Sequence, residues 1–252
     1  MIGAAIRKDI WLLLRDRGAL IALFALPIVF ILAFGMMFQG DHEAPAEAAR
    51  IMGPTSFQVS VPGNAVLFGF FIALTVAMTF AGERRTGTWR RLLAAPVPRW
   101  QALLATLVPY YFVGCLQLAF LFGIGAGVFG MKVAGSLLAL VVLSLTVSLC
   151  AVCLGFLLAA FGGTERQLGG IGSVVLLVMG LIGGCMMPRM AMPHVMQQIG
   201  LVVPHAWALD GYMAVLVVPG STLSTIAPSI AAMLAFAVAF AGLGLALFRF
   251  ES

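Results

Sequence analysis

The sequence predicts an all-α membrane protein with six transmembrane helices, an N-terminal amphipathic interface helix and an external re-entrant helical hairpin before the last span. Composition is the first observation behind this class. Of the 252 residues, 62% are hydrophobic and only 9% are charged, against roughly 25% in an ordinary soluble domain. A soluble fold of this size cannot hide so much apolar surface, whereas a bilayer solvates it. The second observation is a series of six long apolar runs.

These apolar runs are long enough to cross a bilayer, because about 20 residues at ~1.5 Å each traverse a hydrocarbon core of ~30 Å. They occupy residues 19–38, 64–82, 102–129, 133–161, 170–187 and 226–248. The third and fourth runs exceed the required length, which predicts that they tilt or project into the aqueous phase. We therefore expect one transmembrane domain over residues 1–252.

Residues 1–18 precede the first span and predict a short helix at the cytoplasmic interface. Apolar residues recur at helical spacing and face a basic side, as in helices that lie in the plane of a membrane surface. The residues that define this interface helix are Ile6, Arg7, Lys8, Asp9 and Arg15. A membrane anchor without any protein partner fits the same pattern equally well.

The distribution of basic residues predicts the orientation. With the N-terminus inside, the cytoplasmic connections hold eleven Lys and Arg and the external connections hold three. This asymmetry follows the positive-inside rule, and an even number of spans returns the C-terminus to the cytoplasm. The net charge of +5 is therefore interpreted as a topology signal. It does not form the solvated basic face that nucleic-acid binding requires, so no nucleic-acid partner is expected.

The cytoplasmic segment 83–100 carries more arginine than orientation requires. Its five arginines are Arg84, Arg85, Arg90, Arg91 and Arg99. Residues 89–95 can form a short helix that Pro96 and Pro98 stop. An arginine-rich helix parallel to the membrane suits a cytosolic partner that bears carboxylates. Attraction to anionic membrane lipid is the alternative interpretation.

Two external segments differ in character. Residues 39–63 are interpreted as a solvated loop. Residues 188–225 are apolar, but they are broken by four prolines into stretches too short to cross. Irregular backbone at membrane depth must be covered by protein or line a wet cavity, so short helices that dip into the outer leaflet are expected. The candidate outer-gate residues are Met187, Pro188, Pro193, Pro204 and Trp207.

Several kinds of chemistry are absent from the sequence. There is no G-x-x-x-x-G-K-[ST] phosphate-binding loop, and none of the nine acidic residues falls inside an apolar run. Proton-coupled transporters and intramembrane proteases usually keep ionisable groups at mid-membrane. We expect no catalytic residue and no cofactor bound by this chain.

A methionine-rich cluster offers a second class of function. Thioether and imidazole groups suit Cu(I), which makes a copper-related membrane assembly factor the alternative, although methionine is more often adaptable packing. The candidate ligands are Met190, Met192, His194 and Met196. The other histidines, His42 and His205, are expected to be solvated or hydrogen-bonded locally. G-x-x-x-G spacing at Gly123/Gly127 and at Gly180/Gly184 predicts close helix approach, one within the protomer and one across a dimer.

Two stretches resemble a known family, the membrane (permease) subunit of type-two ABC exporters in the drug-export branch. The first is similar to the family's E-R-x-x-G-T…L-L-x-x-P loop and consists of Glu83-Arg84, Gly87-Thr88, Leu92-Leu93 and Pro96. The second is similar to its proline-broken hairpin and consists of Gly183-Gly184, Pro188, Pro193, Pro204, Trp207, Asp210 and Tyr212. The chain departs from the family where an acidic residue often follows Gly-Thr, since Trp89, Arg90 and Arg91 stand there.

The resemblance implies a bacterial inner-membrane exporter with cytoplasmic termini, built from two copies of this chain and two cytosolic ABC ATPase subunits. ATP and Mg would be bound by the ATPase, so that hydrolysis occurs in trans. The cargo would be a hydrophobic, amphipathic or lipid-like small molecule. The residues of the ATPase-coupling loop would be Glu83, Arg84, Gly87, Thr88, Arg90, Arg91, Leu92 and Pro96. An ATP-independent secondary transporter is the remaining alternative.

Overall fold

The computed structural model describes residues 18, 21–37, 56–94, 98–187, 189 and 192–248. The regular structure of these residues is helical throughout, as the sequence predicts. In chain order the helices are α1 (Leu26–Met37, preceded by a π-helical turn at Ile21–Ala25), α2 (Phe57–Phe70), α3 (Ile72–Arg85), α4 (Thr88–Ala94), α5 (Arg99–Gly127), α6 (Leu137–Ala160), α7 (Glu165–Gly183), α8 (His194–Gly200), α9 (Pro204–Val217) and α10 (Ala227–Leu247).

Several residues named above lie outside the described part of the chain. They are the interface-helix residues Ile6, Arg7, Lys8, Asp9 and Arg15, together with His42, Pro96, Pro188 and Met190.

Five helices are long and apolar enough to cross a membrane. They are Phe57–Arg85 (α2 and α3 together), α5, α6, α7 and α10. A sixth apolar helix, Leu23–Met37, is shorter within the described residues. Together they correspond to the six apolar runs of the sequence, so the class of a multi-pass helical membrane protein is confirmed.

The second span begins at Phe57 rather than at residue 64, because the polar groups of its first turns are satisfied inside the protein. The side-chain amide of Gln58 donates to the carbonyls of Lys132 (2.5 Å) and Leu216 (2.7 Å) and accepts from the Lys132 N–H at 3.0 Å. The hydroxyl of Ser60 donates to the carbonyl of Ile31 at 3.0 Å. Because of these contacts, a stretch whose polar composition resembles a loop is helical and buried.

The fifth span is displaced toward its N-terminus relative to the apolar run at 170–187. Thr164 caps α7: its hydroxyl accepts from the N–H of Gln167 at 3.2 Å, and the Gln167 side chain accepts from the Thr164 N–H at 3.0 Å. This reciprocal capping box lets the helix begin at Glu165. At the other end Gly184 adopts φ +86°, a left-handed conformation that ends helices and favours glycine.

The long helices alternate in direction and define two ends of the bundle. The arginine end holds the C-terminus of α3, all of α4 and the N-terminus of α7, since Arg85 pairs with Glu165 there. The hairpin end holds the N-terminus of α2 and the C-terminus of α7, since a Cβ at Gly63 would lie 2.3 Å from the carbonyl oxygen of Cys185.

Small residues allow the closest helix crossing in the core. A Cβ added to Gly155 of α6 would lie 2.6 Å from the carbonyl oxygen of Ala73 and 2.8 Å from its Cα. The backbones of α3 and α6 therefore touch. In lipid the hydrophobic effect does not drive helices together, and small residues let their backbones approach closely enough to pack. The α10 helix packs alongside α6, and Gly244 of α10 lies against the Phe156 ring, where a Cβ would be 2.7 Å from Cδ1.

The segment between α7 and α10 enters and leaves at the same end of the bundle. It begins at Gly184, where α7 ends, and a Cβ at Gly211 of α9 would lie 2.9 Å from the Cβ of Ser229 in the first turn of α10. Helices α8 and α9 meet at a bend of 106°. Because α7 and α10 run in opposite directions from this end, the bent pair is a re-entrant hairpin, which confirms that part of the predicted architecture.

Candidate functional site

A tight turn at the arginine end joins α3 to α4. Gly87 has φ +72°, and a Cβ there would meet nothing within 4 Å, so backbone conformation rather than space favours glycine. The N–H of Gly87 donates to the carbonyl of Arg84 at 3.2 Å, and the hydroxyls of Thr86 and Thr88 lie 3.0 Å apart. The Gly-Thr pair of the sequence motif thus reverses the chain and starts α4.

Trp89 anchors α4 to the bundle. Its side chain is fully buried, and its ring lies 5.4 Å from the Phe80 ring and 5.6 Å from the Phe248 ring, both edge to face. Edge-to-face pairs of this kind contribute about 0.5–1.5 kcal/mol each beyond their buried area. In the sequence, Trp89 stands out only as a departure from the family pattern. In the structure, its side chain is the one that anchors α4 to the bundle.

The rings around Trp89 come from the arginine ends of three spanning helices. Phe80 belongs to α3, Phe156 to α6, and Phe248 directly follows α10. The Phe248 ring lies 5.5 Å from Phe80 and 5.2 Å from Phe156, and the guanidinium of Arg84 lies 4.4 Å from its centroid, within cation–π range. We call Phe80, Arg84, Trp89, Phe156 and Phe248 the aromatic clamp. The clamp therefore joins α4 to the ends of three spanning helices.

The remaining residues of the candidate coupling loop divide between the interior and the surface. Glu83 is buried near the clamp, and Leu92 is half-buried against the core. Arg90 and Arg91 are exposed. The short helix thus turns an apolar side inward and a doubly basic side outward.

A cavity of about 1280 Å³ lies beside the clamp, between α3 and α7. Its charged lining residues are Arg84, Arg85, Glu165 and Arg166. Arg85 Nε lies 3.3 Å from Glu165 Oε1, and the Arg85 side chain is 78% exposed. Such exposed pairs contribute little, about 0–1 kcal/mol, so this one orients the two helix ends more than it stabilises them.

The re-entrant hairpin is held by an ion pair. Arg189 Nε lies 2.8 Å from Asp210 Oδ1, and Arg189 Nη2 donates to the carbonyl of Gln197 at 3.1 Å. The Gln197 amide in turn donates to the carbonyl of Met192 at 2.9 Å. One arginine therefore connects the end of α7 to both α8 and α9.

The predicted gate residues occupy different positions in this hairpin. Pro204 is buried at the first position of α9, where its missing N–H costs no helical hydrogen bond. Trp207 is half-buried, and its indole N–H donates to the carbonyl of Leu201 at 2.9 Å, across the bend between α8 and α9. Met187 and Pro193 are exposed. Trp207 thus fixes the bend, whereas Met187 and Pro193 form the outer surface.

His205 corrects one expectation from the sequence. It is fully buried, its ring stacks on Phe70 at 4.1 Å, and neither ring nitrogen has a hydrogen-bond partner among the described residues. The expectation of a solvated or locally hydrogen-bonded histidine is therefore wrong. The close approach of α7 is the reason, because a Cβ at Gly183 would lie 2.5 Å from that of His205.

The methionine cluster and the glycine pairs are also located in part. Met192 is buried, whereas His194 and Met196 are exposed on α8, and the described residues contain no group of three or more His, Cys, Asp or Glu that could hold a metal ion. Gly180 packs inside the protomer, where a Cβ would lie 2.4 Å from Leu67 Cδ1. Gly123 meets nothing within 4 Å in this chain, so its use in a dimer stays a prediction.

Sequence reasoning did not find the partners that make these sites. The pairs Arg85–Glu165 and Arg189–Asp210 join residues from different segments of the chain, and no local spacing signals them. Trp89 did carry a signal, since an aromatic residue between polar neighbours on a short helix must either be buried or interact with a membrane.

The fold and the arginine-bearing turn define a multi-pass α-helical membrane protein with a basic turn at one end and a re-entrant hairpin at the other. The profile of the ABC-2 type transporter family matches residues 2–217. The chain belongs to the ABC-2 type transporter family, and the resemblance drawn from the two motifs is confirmed.

Relatives with assigned roles are similar along most of this chain. The linearmycin resistance permease protein LnrN of Bacillus subtilis is 26% identical over 187 residues, which cover 74% of this chain and 48% of the relative. The probable multidrug ABC transporter permease YbhS of Escherichia coli K12 is 24% identical over 185 residues, 73% of this chain and 49% of the relative. The chain spans about half the length of these relatives.

Proposed function

We propose that this chain is the membrane subunit of an ATP-driven exporter that moves a hydrophobic, amphipathic or lipid-like small molecule out of the cytoplasm of a bacterium. A separate cytosolic ABC ATPase, in two copies, binds ATP and Mg and hydrolyses ATP in trans. Two copies of the membrane chain form the translocation unit in the inner membrane, with the arginine end toward the cytoplasm. The family membership and the resistance and multidrug roles of the two relatives support this proposal.

The observation that carries the proposal is the two-sided character of α4. Its inner side is fixed by Trp89 in the aromatic clamp, while Arg90 and Arg91 remain exposed. Exposed arginines recognise carboxylates through charge-assisted hydrogen bonds. A partner that grips the outer side therefore moves the ends of three spans, because Phe80, Phe156 and Phe248 all contact one another in the clamp.

The cargo class follows from the charges of the spans. The acidic and basic residues of the described long helices lie near helix ends, at positions such as Glu83, Arg99 and Glu165. An isolated charge at mid-membrane is costly unless it is paired. A path without ionisable side chains along its middle suits molecules whose bulk is apolar.

The test is charge reversal on the outer side of α4. The double variant Arg90→Glu/Arg91→Glu should fold normally, because both side chains are exposed, yet weaken association with the ATPase subunit about tenfold or more through like-charge contacts. Co-purification and cargo-stimulated ATP hydrolysis in proteoliposomes are the measurements. Lys132→Glu, an exposed charge reversal at the hairpin end, is the matched control. Undiminished association and hydrolysis in the double variant would refute the coupling role. Transport without any ATPase would favour the secondary-transporter alternative.

A further inference from the structure

We propose that the cavity between α3 and α7 binds the acidic headgroup of an amphipathic molecule, whose tail lies along the apolar part of the cavity wall. If the occupant is exported cargo, the inference rests on the export function proposed above. If it is a membrane lipid, the inference stands without that function. The shared chemistry is an anionic head on an apolar tail.

The charge of the cavity favours an anion. Three arginines and one glutamate line it, which leaves two positive charges in excess among the lining residues. The glutamate, Glu165, already pairs with Arg85. Arg166 forms no ion pair with any residue that the structure describes, and its side chain is exposed. Its guanidinium is therefore available as a bidentate donor to a phosphate or carboxylate.

The backbone adds to this field. The cavity includes the N-terminus of α7, a helix of 19 residues, together with Thr164, whose hydroxyl caps it. A helix N-terminus carries about half a positive elementary charge. The adjoining Gly162 and Gly163 adopt φ +75° and +120°, backbone conformations that favour glycine. Because glycine has no Cβ, these two positions do not narrow the entrance to the cavity. The helix terminus alone would not define a site, but here it adds to the exposed Arg166 and to the net positive charge of the residues that line the cavity.

The remaining wall is apolar, which selects an amphipathic occupant over a free inorganic anion. Met78, Ala81 and Leu247 line the cavity on the side of α3 and α10. Phe161 lines it from the loop before α7, and its side chain is largely exposed. The volume of about 1280 Å³ exceeds the ~300–1,000 Å³ typical of small-molecule pockets. A basic recess between helices at a membrane surface is the kind of site that lipid headgroups occupy.

A thiol placed in the cavity reports its occupancy. Gly170 lines the cavity, and a Cβ there meets nothing within 4 Å, so Gly170→Cys fits without displacing a neighbour. Gly127→Cys is the matched control, because Gly127 is equally unobstructed but lies at the hairpin end of α5. Both are made in a chain with Cys115→Ala and Cys153→Ala, which leaves only the buried Cys150 and Cys185.

The isolated chain is reconstituted in phosphatidylcholine nanodiscs and labelled with N-ethylmaleimide, a neutral reagent. Phosphatidylglycerol in the disc, or added dodecyl phosphate, should slow labelling of Gly170→Cys about fivefold and leave Gly127→Cys unchanged, as expected for roughly 1 kcal/mol per arginine near the headgroups. Protection by phosphatidylglycerol assigns the site to bilayer lipid. Protection by dodecyl phosphate alone assigns it to a single-chain amphiphile and supports the cargo interpretation.

The variant Arg166→Gln should abolish most of this protection, and Arg166→Lys should restore part of it, whereas Lys132→Gln should have no effect. Equal labelling with and without the anionic amphiphiles would overturn the proposal, and so would full protection in Arg166→Gln. Because no ATPase is present, a failure here leaves the coupling experiment above unaffected. A failure of that experiment would likewise leave the occupancy of the cavity measurable.

Discussion

The guanidinium of Arg189 reaches the carboxylate of Asp210 at 2.8 Å from the opposite side of the bend between α8 and α9. The Arg189 side chain is 12% exposed and that of Asp210 is 44% exposed, so the arginine is the more deeply placed partner. The same guanidinium also holds the carbonyl of Gln197. The two residues therefore contribute unequally to closing the hairpin.

Removal of Arg189 should open the hairpin more than removal of Asp210. Arg189→Ala deprives Asp210 and the Gln197 carbonyl of their donor, whereas Asp210→Asn keeps a hydrogen-bond acceptor in place. The thiol of Cys185, now 7% exposed, should react with maleimide about tenfold faster in Arg189→Ala and only about twofold faster in Asp210→Asn. The reason is that Arg189→Ala removes the contacts to both α8 and α9, whereas Asp210→Asn leaves the contact of Arg189 with the Gln197 carbonyl in place.

This measurement uses a chain in which Cys185 is the sole cysteine. Asp41→Asn, which likewise removes one negative charge, controls for the change of charge. Equal reactivity in the two hairpin variants would contradict the unequal roles of the partners.

Trp89 should be the largest single contributor to the stability of the arginine end. Truncation of a buried Trp or Phe to alanine costs about 3–5 kcal/mol, and roughly 2–4 °C of Tm accompanies each kcal/mol in a chain of this size. We expect Trp89→Ala to lower the thermal unfolding midpoint in detergent by the sum of these per-kcal/mol decrements, and Trp89→Phe to lower the midpoint much less. Trp100→Ala, at a side chain that is 59% exposed, should have little effect. A similar decrease in both alanine variants would refute the clamp.

The crossing of α3 and α6 should not tolerate a methyl group. Gly155→Ala places a Cβ against the backbone of Ala73, where neither atom can yield, so we expect an overpacking cost of about 1–3 kcal/mol. Gly123→Ala adds the same methyl group where nothing lies within 4 Å and should be neutral or slightly stabilising within a helix. Denaturation in mixed micelles measures both. If Gly123→Ala lowered the stability of the monomer, the conclusion that α5 has no close neighbour at Gly123 would be wrong.

Gln58 should be required for the start of the second span. In Gln58→Glu the nearly isosteric side chain keeps at most one donor, the carboxyl O–H of its neutral form, because an ionised carboxylate is costly at this buried site. At least one of the carbonyls of Lys132 and Leu216 therefore loses its partner. Each unsatisfied buried group costs about 1–3 kcal/mol. The exposed Gln198→Glu is the matched control. Hydrogen exchange of the amides of residues 58–61 should rise in Gln58→Glu alone, and unchanged protection there would refute the assignment.

Composition and apolar run length predicted the fold class because lipid imposes helices of a minimum length on any chain with this much apolar surface. The hairpin was predicted for a related reason, since four prolines and short apolar stretches cannot form a span. The start of α2 was not predicted. Gln58 and Ser60 are polar by composition, and only their bonds to Lys132, Leu216 and Ile31 show that they are buried.

The candidate site was predicted in part. Gly87 and the exposed Arg90 and Arg91 follow from local rules for turns and amphipathic helices. The clamp does not, because Trp89 and Phe248 are distant in sequence and meet only through the packing of α3, α6 and α10. Contacts of this kind depend on which helices become neighbours, and helical periodicity does not encode that choice.

The clamp has a consequence for the order in which the protein assembles. Phe248 directly follows α10, so the ribosome has passed residue 248 before the pocket for Trp89 is complete. Until Phe248 has been added, the Trp89 ring lacks one of the aromatic rings against which it packs. The seating of this turn in the clamp is thereby coupled to the synthesis of α10, although the turn itself lies between α3 and α4.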